Sequence, residues 1–158
     1  MKNYSIEIKW ALIYVIISFF WIFIQKSLGY FDENISKHLF FSVLIVLALI
    51  PLFLLAQTDK KKNFLNGKMT WKQGFISGGI IIVIATLFVP LLQYLTYEVI
   101  NPDFFKKTIA FYTQNGKMTA VDAATRFNLR SYIIQAVSDS LSFGILFSAI
   151  TAFFTKSK

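Results

Sequence analysis

No cysteine occurs in the 158 residues of this chain, which excludes disulfide frameworks, thiol nucleophiles and thiolate metal sites. Histidine is almost as scarce. The only one, His38, opens an apolar run, where a lone imidazole reads first as an interfacial polar group and second as a metal or proton site. Charged residues make up 15% of the chain, against about a quarter in an ordinary soluble domain. HExxH, GxSxG and phosphate-cradling glycine loops are all missing, so the sequence carries no known signature of metal-assisted, acyl-transfer or nucleotide chemistry. The expectation is a protein that is not an enzyme and holds no cofactor.

What is abundant is apolar and aromatic side chain, 56% and 18% of residues. It is gathered into four runs at about 10–28, 39–57, 75–98 and 132–155. A helix rises about 1.5 Å per residue, so roughly 20 apolar residues cross a bilayer core. Lipid satisfies no backbone N–H or C=O, so the spanning parts must be helices. The expected fold is therefore all-α: one polytopic domain of four transmembrane helices over residues 1–158. Lys2 and Lys9 before the first run, and the small-x-small triplet Ser27-Leu28-Gly29 after it, resemble a signal peptide. The run is crowded with Phe and Trp, however, and interrupted by Gln25 and Lys26, so a retained helix is expected.

The connections carry their own signals. Gly29 and the polar Asp32-Glu33-Asn34 read as a tight turn after the first run. Thr70-Trp71-Lys72-Gln73 fits a capping box, making Thr70 the N-cap of the third span. Asn101-Pro102 reads as an N-cap with proline at the first helical position, and Asn115-Gly116 as the stop. Between them Phe104, Phe105, Ile109 and Tyr112 fall near one side, which predicts an amphipathic helix lying on the bilayer between spans three and four. Thr119 to Asp122 reads as a fresh start leading into the fourth span. Pro51 and Pro90 lie inside the second and third spans, where each reads as a bend in the packing or as a hinge lining a site.

Four spans put both termini on the side of the second connection. That side carries Lys2, Lys9, Lys60, Lys61, Lys62, Lys68, Lys72, Lys156 and Lys158, nine basic residues; the other carries Lys26, Lys37, Lys106, Lys107, Lys117, Arg126 and Arg130, seven. The positive-inside rule then places both termini in the cytoplasm of a bacterial inner membrane. The cluster Lys60, Lys61 and Lys62 is expected to meet anionic lipid headgroups, and the net charge of +8 reads as a topology and lipid signal, with no nucleic-acid partner.

Inside the runs, Ala136, Ser140, Gly144, Ser148 and Ala152 recur at every fourth position of span four, and Gly74 and Gly78 repeat the spacing in span three. Small residues so spaced let helix backbones approach closely. They serve packing within the bundle, or self-association into a homodimer or with another membrane protein. Asp139 is the most suggestive single residue, because an intramembrane carboxylate is costly and a functional-site hypothesis by default. Arg130, Arg126 or the Gln135 amide could partner it, and the favoured reading puts it at the bilayer boundary. Glu98 could pair with Arg126 or Arg130, and Gln93 could bond across helices.

The segment NGKMTWKQGFISGGIIIVIATLF, followed by NPDF and a loop helix leading into a last span, resembles a bacterial family of small four-span membrane proteins, the domain of unknown function DUF4199. The resemblance covers nearly the whole chain and implies an α-helical fold in a bacterial inner membrane. It brings no catalytic residues. Two functions stay open: a non-enzymatic protein acting through helix, lipid or protein contacts, and a small transporter or channel subunit with a polar path near Asp139.

Overall fold

The computed structural model describes residues 4–157, and all regular structure in them is helical. Helix α1 spans Ser5–Ser27; a 3-10 turn Ile35–Lys37 leads into α2, His38–Val43, and α3, Val46–Asn63. Then follow α4, Trp71–Thr86, and α5, Val89–Tyr94, which continues as a π-helix over Leu95–Ile100. Two short helices, α6 (Phe104–Gln114) and α7 (Ala120–Arg126), precede the long α8, Leu129–Thr155. Lys2 and Lys158, two of the basic residues assigned above to the first side, lie outside the described residues.

Helix α1, the stretch Ile35–Asn63 and α8 are each long and apolar enough to cross a membrane; α4 and Val89–Ile100 reach that length only together, bent by 43°. At most 22% of the most apolar window of any of the three long helices is buried. Phe20, Leu47, Leu87 and Phe154 stand outward. A soluble bundle would bury such stripes, whereas apolar surface facing out is what a bilayer solvates.

Breaks occur where the sequence denies a backbone bond. Pro90 has no N–H for the Thr86 carbonyl and its ring crowds that turn. Accordingly α4 stops at Thr86, and Leu87 and Phe88 close short i→i+3 bonds to Ile84 and Ala85. Pro51 lies inside α3 without ending it; the interruption comes earlier, at Leu44 and Ile45. The capping box at the start of α4 is present: Thr70 Oγ1 accepts from Gln73 N–H at 3.2 Å and Thr70 N–H donates to Gln73 Oε1 at 2.8 Å. Just before it, Asn66 and Gly67 both take positive φ, the left-handed turn that Asn-Gly tolerates.

Two sequence expectations are corrected, and one question that the sequence leaves open is answered. Asn101 does not cap α6, whose N-cap is Asp103; the Asn101 N–H and side-chain amide both donate to the Thr96 carbonyl, closing the π-helix behind it. The apolar side of α6 is turned onto the bundle instead of onto lipid: Phe104 is 2% exposed among Phe31, His38, Tyr97 and Tyr132. The sequence leaves open whether the helix capped by Thr119 is continuous with the last span; it is not, because Phe127 and Asn128 leave helical geometry and Asn128 caps α8 afresh, accepting from Ser131 N–H at 2.9 Å.

Two ends of the bundle can be told apart. At one end Lys60 meets Glu7, and Ser157 N–H donates to the Met69 carbonyl at 2.7 Å. The start of α1, the end of α3, the start of α4 and the end of α8 therefore lie together. At the other end Lys26 donates to the Ile100 carbonyl at 2.7 Å and Lys107 pairs with Asp32, a hydrogen bond that raises the Lys107 pKa. The bent pair α4–α5 thus runs the length of the bundle, from Trp71 at the first end to Ile100 at the second.

Candidate functional site

Helices α4 and α8 run antiparallel and touch along a ladder of rungs spaced four residues on both. A Cβ added at Gly74 would come within 3.1 Å of Ala152 Cβ, one at Gly78 within 2.5 Å of Ser148 Oγ, and one at Gly144 within 2.1 Å of Ile82 Cγ1. A fourth rung is the Thr86 to Ser140 hydroxyl bond at 2.9 Å. The ladder ends there, at the break before Pro90. Ala136, one turn further along α8, lines open space instead.

Beside the ladder at the first end lies a buried polar assembly. Glu7 is 1% exposed; its carboxylate accepts from Lys60 Nζ at 3.0 and 3.1 Å and from Ser77 Oγ at 2.8 Å. Gln57, fully buried, donates to the Gly74 and Ser148 carbonyls at 3.2 and 3.1 Å and accepts from Thr155 Oγ1 at 2.9 Å. This assembly is saturated. Both Gln57 donors and its acceptor are engaged, and the Glu7 charge is matched, so it ties α1, α3, α4 and α8 together and offers nothing to a ligand. It also corrects the reading of the lysine run. The Lys60 ammonium is turned inward onto Glu7, and Lys61 donates to the Thr155 carbonyl at 2.9 Å; of the three, Lys62 is the exposed one. Successive residues on a helix point about 100° apart, so where the helix packs against its neighbours one of three in a row turns inward, here Lys60.

Toward the second end the helices diverge around a cavity of about 410 Å³. Its walls come from α1 (Tyr14, Trp21, Gln25), α2 and α3 (His38, Ser42, Leu49), α5 and the π-helix (Gln93, Thr96, Tyr97) and α8 (Tyr132, Gln135, Asp139, Phe143). Leu39 and Val43 on α2 and Phe143 on α8 line it and are also exposed, which puts the mouth at the side of the bundle between α2 and α8. The outer roof is aromatic: Phe31, Tyr97, Phe104 and Tyr132 pack edge to face and tilted, with centroids 4.8 to 6.2 Å apart.

In contrast to the saturated assembly, this cavity gathers unanswered polar atoms. Trp21 Nε1, both ring nitrogens of His38 and Gln93 Oε1 are buried without a hydrogen-bond partner, and all three residues line it. Buried polar groups are nearly always paired, with protein or with something bound. Gln25 donates to Ser42 Oγ at 2.8 Å, which in turn donates to the His38 carbonyl at 2.8 Å. Asp139 lines the mouth, exposed and with no hydrogen bond or ion pair among the described residues. It is ten residues into α8, about 15 Å along the axis at the usual rise, level with the Thr86–Ser140 bond at the helix break.

The remaining residues singled out in the sequence are not drawn in. Glu98, Arg126 and Arg130 are exposed, and no ion pair joins Glu98 to either arginine or Asp139 to Arg130. Glu7, Gln25 and Trp21 carry structure or line the cavity without having stood out in the sequence; a carboxylate one turn ahead of an apolar run was the available signal for Glu7. Among the described residues no three His, Asp or Glu side chains are grouped to hold a metal ion.

The model of a family described as "Protein of unknown function (DUF4199)" matches residues 9–157. No curated protein and no solved structure matches.

Proposed function

We propose that this chain, which belongs to the DUF4199 family, is a four-span protein of a bacterial inner membrane that binds a small molecule in its lateral cavity and serves as a carrier or carrier subunit. The carrying observation is the contrast between two polar regions: one saturated, the other leaving Trp21, His38 and Gln93 unanswered around 410 Å³ of space. Several further features fit. Ligand cavities of this kind run about 300–1,000 Å³, mostly apolar with a few placed polar groups. Broken helices near mid-bundle and an intramembrane carboxylate are the devices by which transporters build sites, and here the Pro90 break and Asp139 are level. The site works by binding rather than bond making. Both termini are cytoplasmic in this reading, with Lys62, Lys68 and Lys72 at anionic lipid.

The second reading, a protein acting through helix, lipid or partner contacts, is favoured by the exposed apolar belt and by Asp139 standing unpaired at the surface of α8. Cysteine accessibility separates them. Single cysteines at 93, 139 and 143, with a control at 150, would be treated with a small maleimide, which reacts through the hydrated thiolate. Binding-site hydration predicts reaction at 93, 139 and 143 and protection at lipid-facing 150. Protection at all four positions would sink the carrier reading in favour of a packed interface.

A further inference from the structure

We infer that the occupant of the lateral cavity is a lipophilic organic cation, with Asp139 as its counter-ion and the aromatic walls as its cage. This rests on the reading of the cavity as a binding site and adds the chemical class. The lining contains one carboxylate and neither lysine nor arginine, in a chain where basic residues outnumber acidic ones two to one. An anion would therefore meet no opposing charge there, and would meet a like one at the mouth.

A small hydrated metal ion fits no better. Hard cations need several oxygen ligands, and Asp139 stands alone among carboxylates in a wall of Tyr14, Trp21, Tyr97, Tyr132, Phe143 and Phe147. Ring faces attract a cation within about 6 Å, and they do so most strongly when it is poorly hydrated, as organic ammonium and phosphonium ions are. Gln93 Oε1, buried and without a donor, would take an N–H where the ligand has one; Trp21 Nε1 would give one to an acceptor on it. The position of the mouth completes the argument. Bounded by exposed Leu39, Val43 and Phe143, it opens sideways among apolar side chains, so the route in suits a solute that carries apolar surface of its own. Asp139 beside that mouth gives a charged solute the one thing lipid lacks.

Tetraphenylphosphonium and tetraphenylborate test this as a pair, since they share shape and apolar surface and differ in the sign of charge. Binding to the full chain in lipid nanodiscs would be measured by equilibrium dialysis against empty nanodiscs. The expected result is saturable binding of the cation and not of the anion, weakened about tenfold or more in Asp139→Asn, which removes the Coulombic attraction of the counter-ion, and retained in Asp139→Glu. Asp139 makes no bond within the bundle, so Asp139→Asn should elute and unfold like the parent. Equal binding of both ions, or an Asp139→Asn variant that binds the cation as the parent does, would overturn the inference. So would absence of saturable cation binding while cysteines at 93 and 143 still react, an outcome that leaves the cavity reading intact; loss of that reactivity as well would bring both down. Disulfide-linked dimers through a cysteine at 139 would assign the carboxylate to a second copy of the chain, and would overturn the counter-ion role.

Discussion

Glu7 and Lys60 show what a single inward-facing charge does to a helix otherwise made for lipid. Neither side chain exceeds 10% exposure, and each has desolvation offset by the other, by Ser77 Oγ and by the Phe64 ring 3.7 Å from the Lys60 ammonium. Removing one partner leaves the other charge buried and unmatched, which in comparable pairs costs about 3–5 kcal/mol, whereas replacing both with apolar groups is often neutral. Lys60→Met is therefore expected to lower stability by about 3 kcal/mol or more, and Glu7→Leu with Lys60→Met to recover most of it. Unfolding in mixed micelles reads both; a Lys60→Met protein as stable as the parent would show the pair to be solvated. Composition could not separate Lys60 from Lys61 and Lys62, because the rotation that turns one of them inward depends on where α3 begins and breaks, and no residue type marks Leu44 and Ile45 as that break. At His38 the reverse holds: its rarity was legible, while its burial against Phe31 and Phe104 depends on α6 folding back over the bundle end.

The α4–α8 pairing is the element on which the cavity depends, since it stops at the rung before Ala136. Ile82 fills the notch left by Gly144, and a methyl group there would overlap Ile82 Cγ1. Overpacking of this kind usually costs about 1–3 kcal/mol. Gly144→Ala should lose that much, with part returned by Ile82→Ala. Gly79→Ala on the same α4, with nothing within 4 Å of the added carbon, should instead gain up to about 1 kcal/mol from helix propensity. A Gly144→Ala protein that melts with the parent would mean that α8 slides or tilts freely against α4. The fourfold spacing on α8 was readable from the chain. Its partner was only half readable, because two of the four rungs on α4 are Ile82 and Thr86, which no small-residue pattern includes. Likewise Pro90 announced a break, but the π-turn that carries Thr96 and Tyr97 into the wall is held by Asn101, whose place before Pro102 reads equally well as the start of the next helix.

For the whole molecule, an all-helical chain with long apolar helices followed from composition and helical rise, three of them long enough to cross a membrane and a fourth only as a bent pair, while the way the loop between α5 and α8 closes the bundle did not, since it arises from aromatic contacts between residues far apart in the chain. The bent pair α4–α5 decides the topology. Hydrogen bonds place Trp71 with the Lys60 end and Ile100 with the Lys107 end, so the pair joins two faces of the membrane if the bundle stands upright in it. A re-entrant pair would return to the face it left. These arrangements differ at one loop. Single cysteines replacing exposed Glu33, Lys68 and Lys117, treated in spheroplasts with a membrane-impermeant thiol reagent, should react at 33 and 117 and be protected at 68, the pattern of four crossings with cytoplasmic termini. Reaction at 33 with protection at both 68 and 117 would mean that α4–α5 dips and returns. Reaction at 68 alone would keep the four crossings and invert them, placing Lys62, Lys68 and Lys72 outside and defeating their role at the anionic inner leaflet.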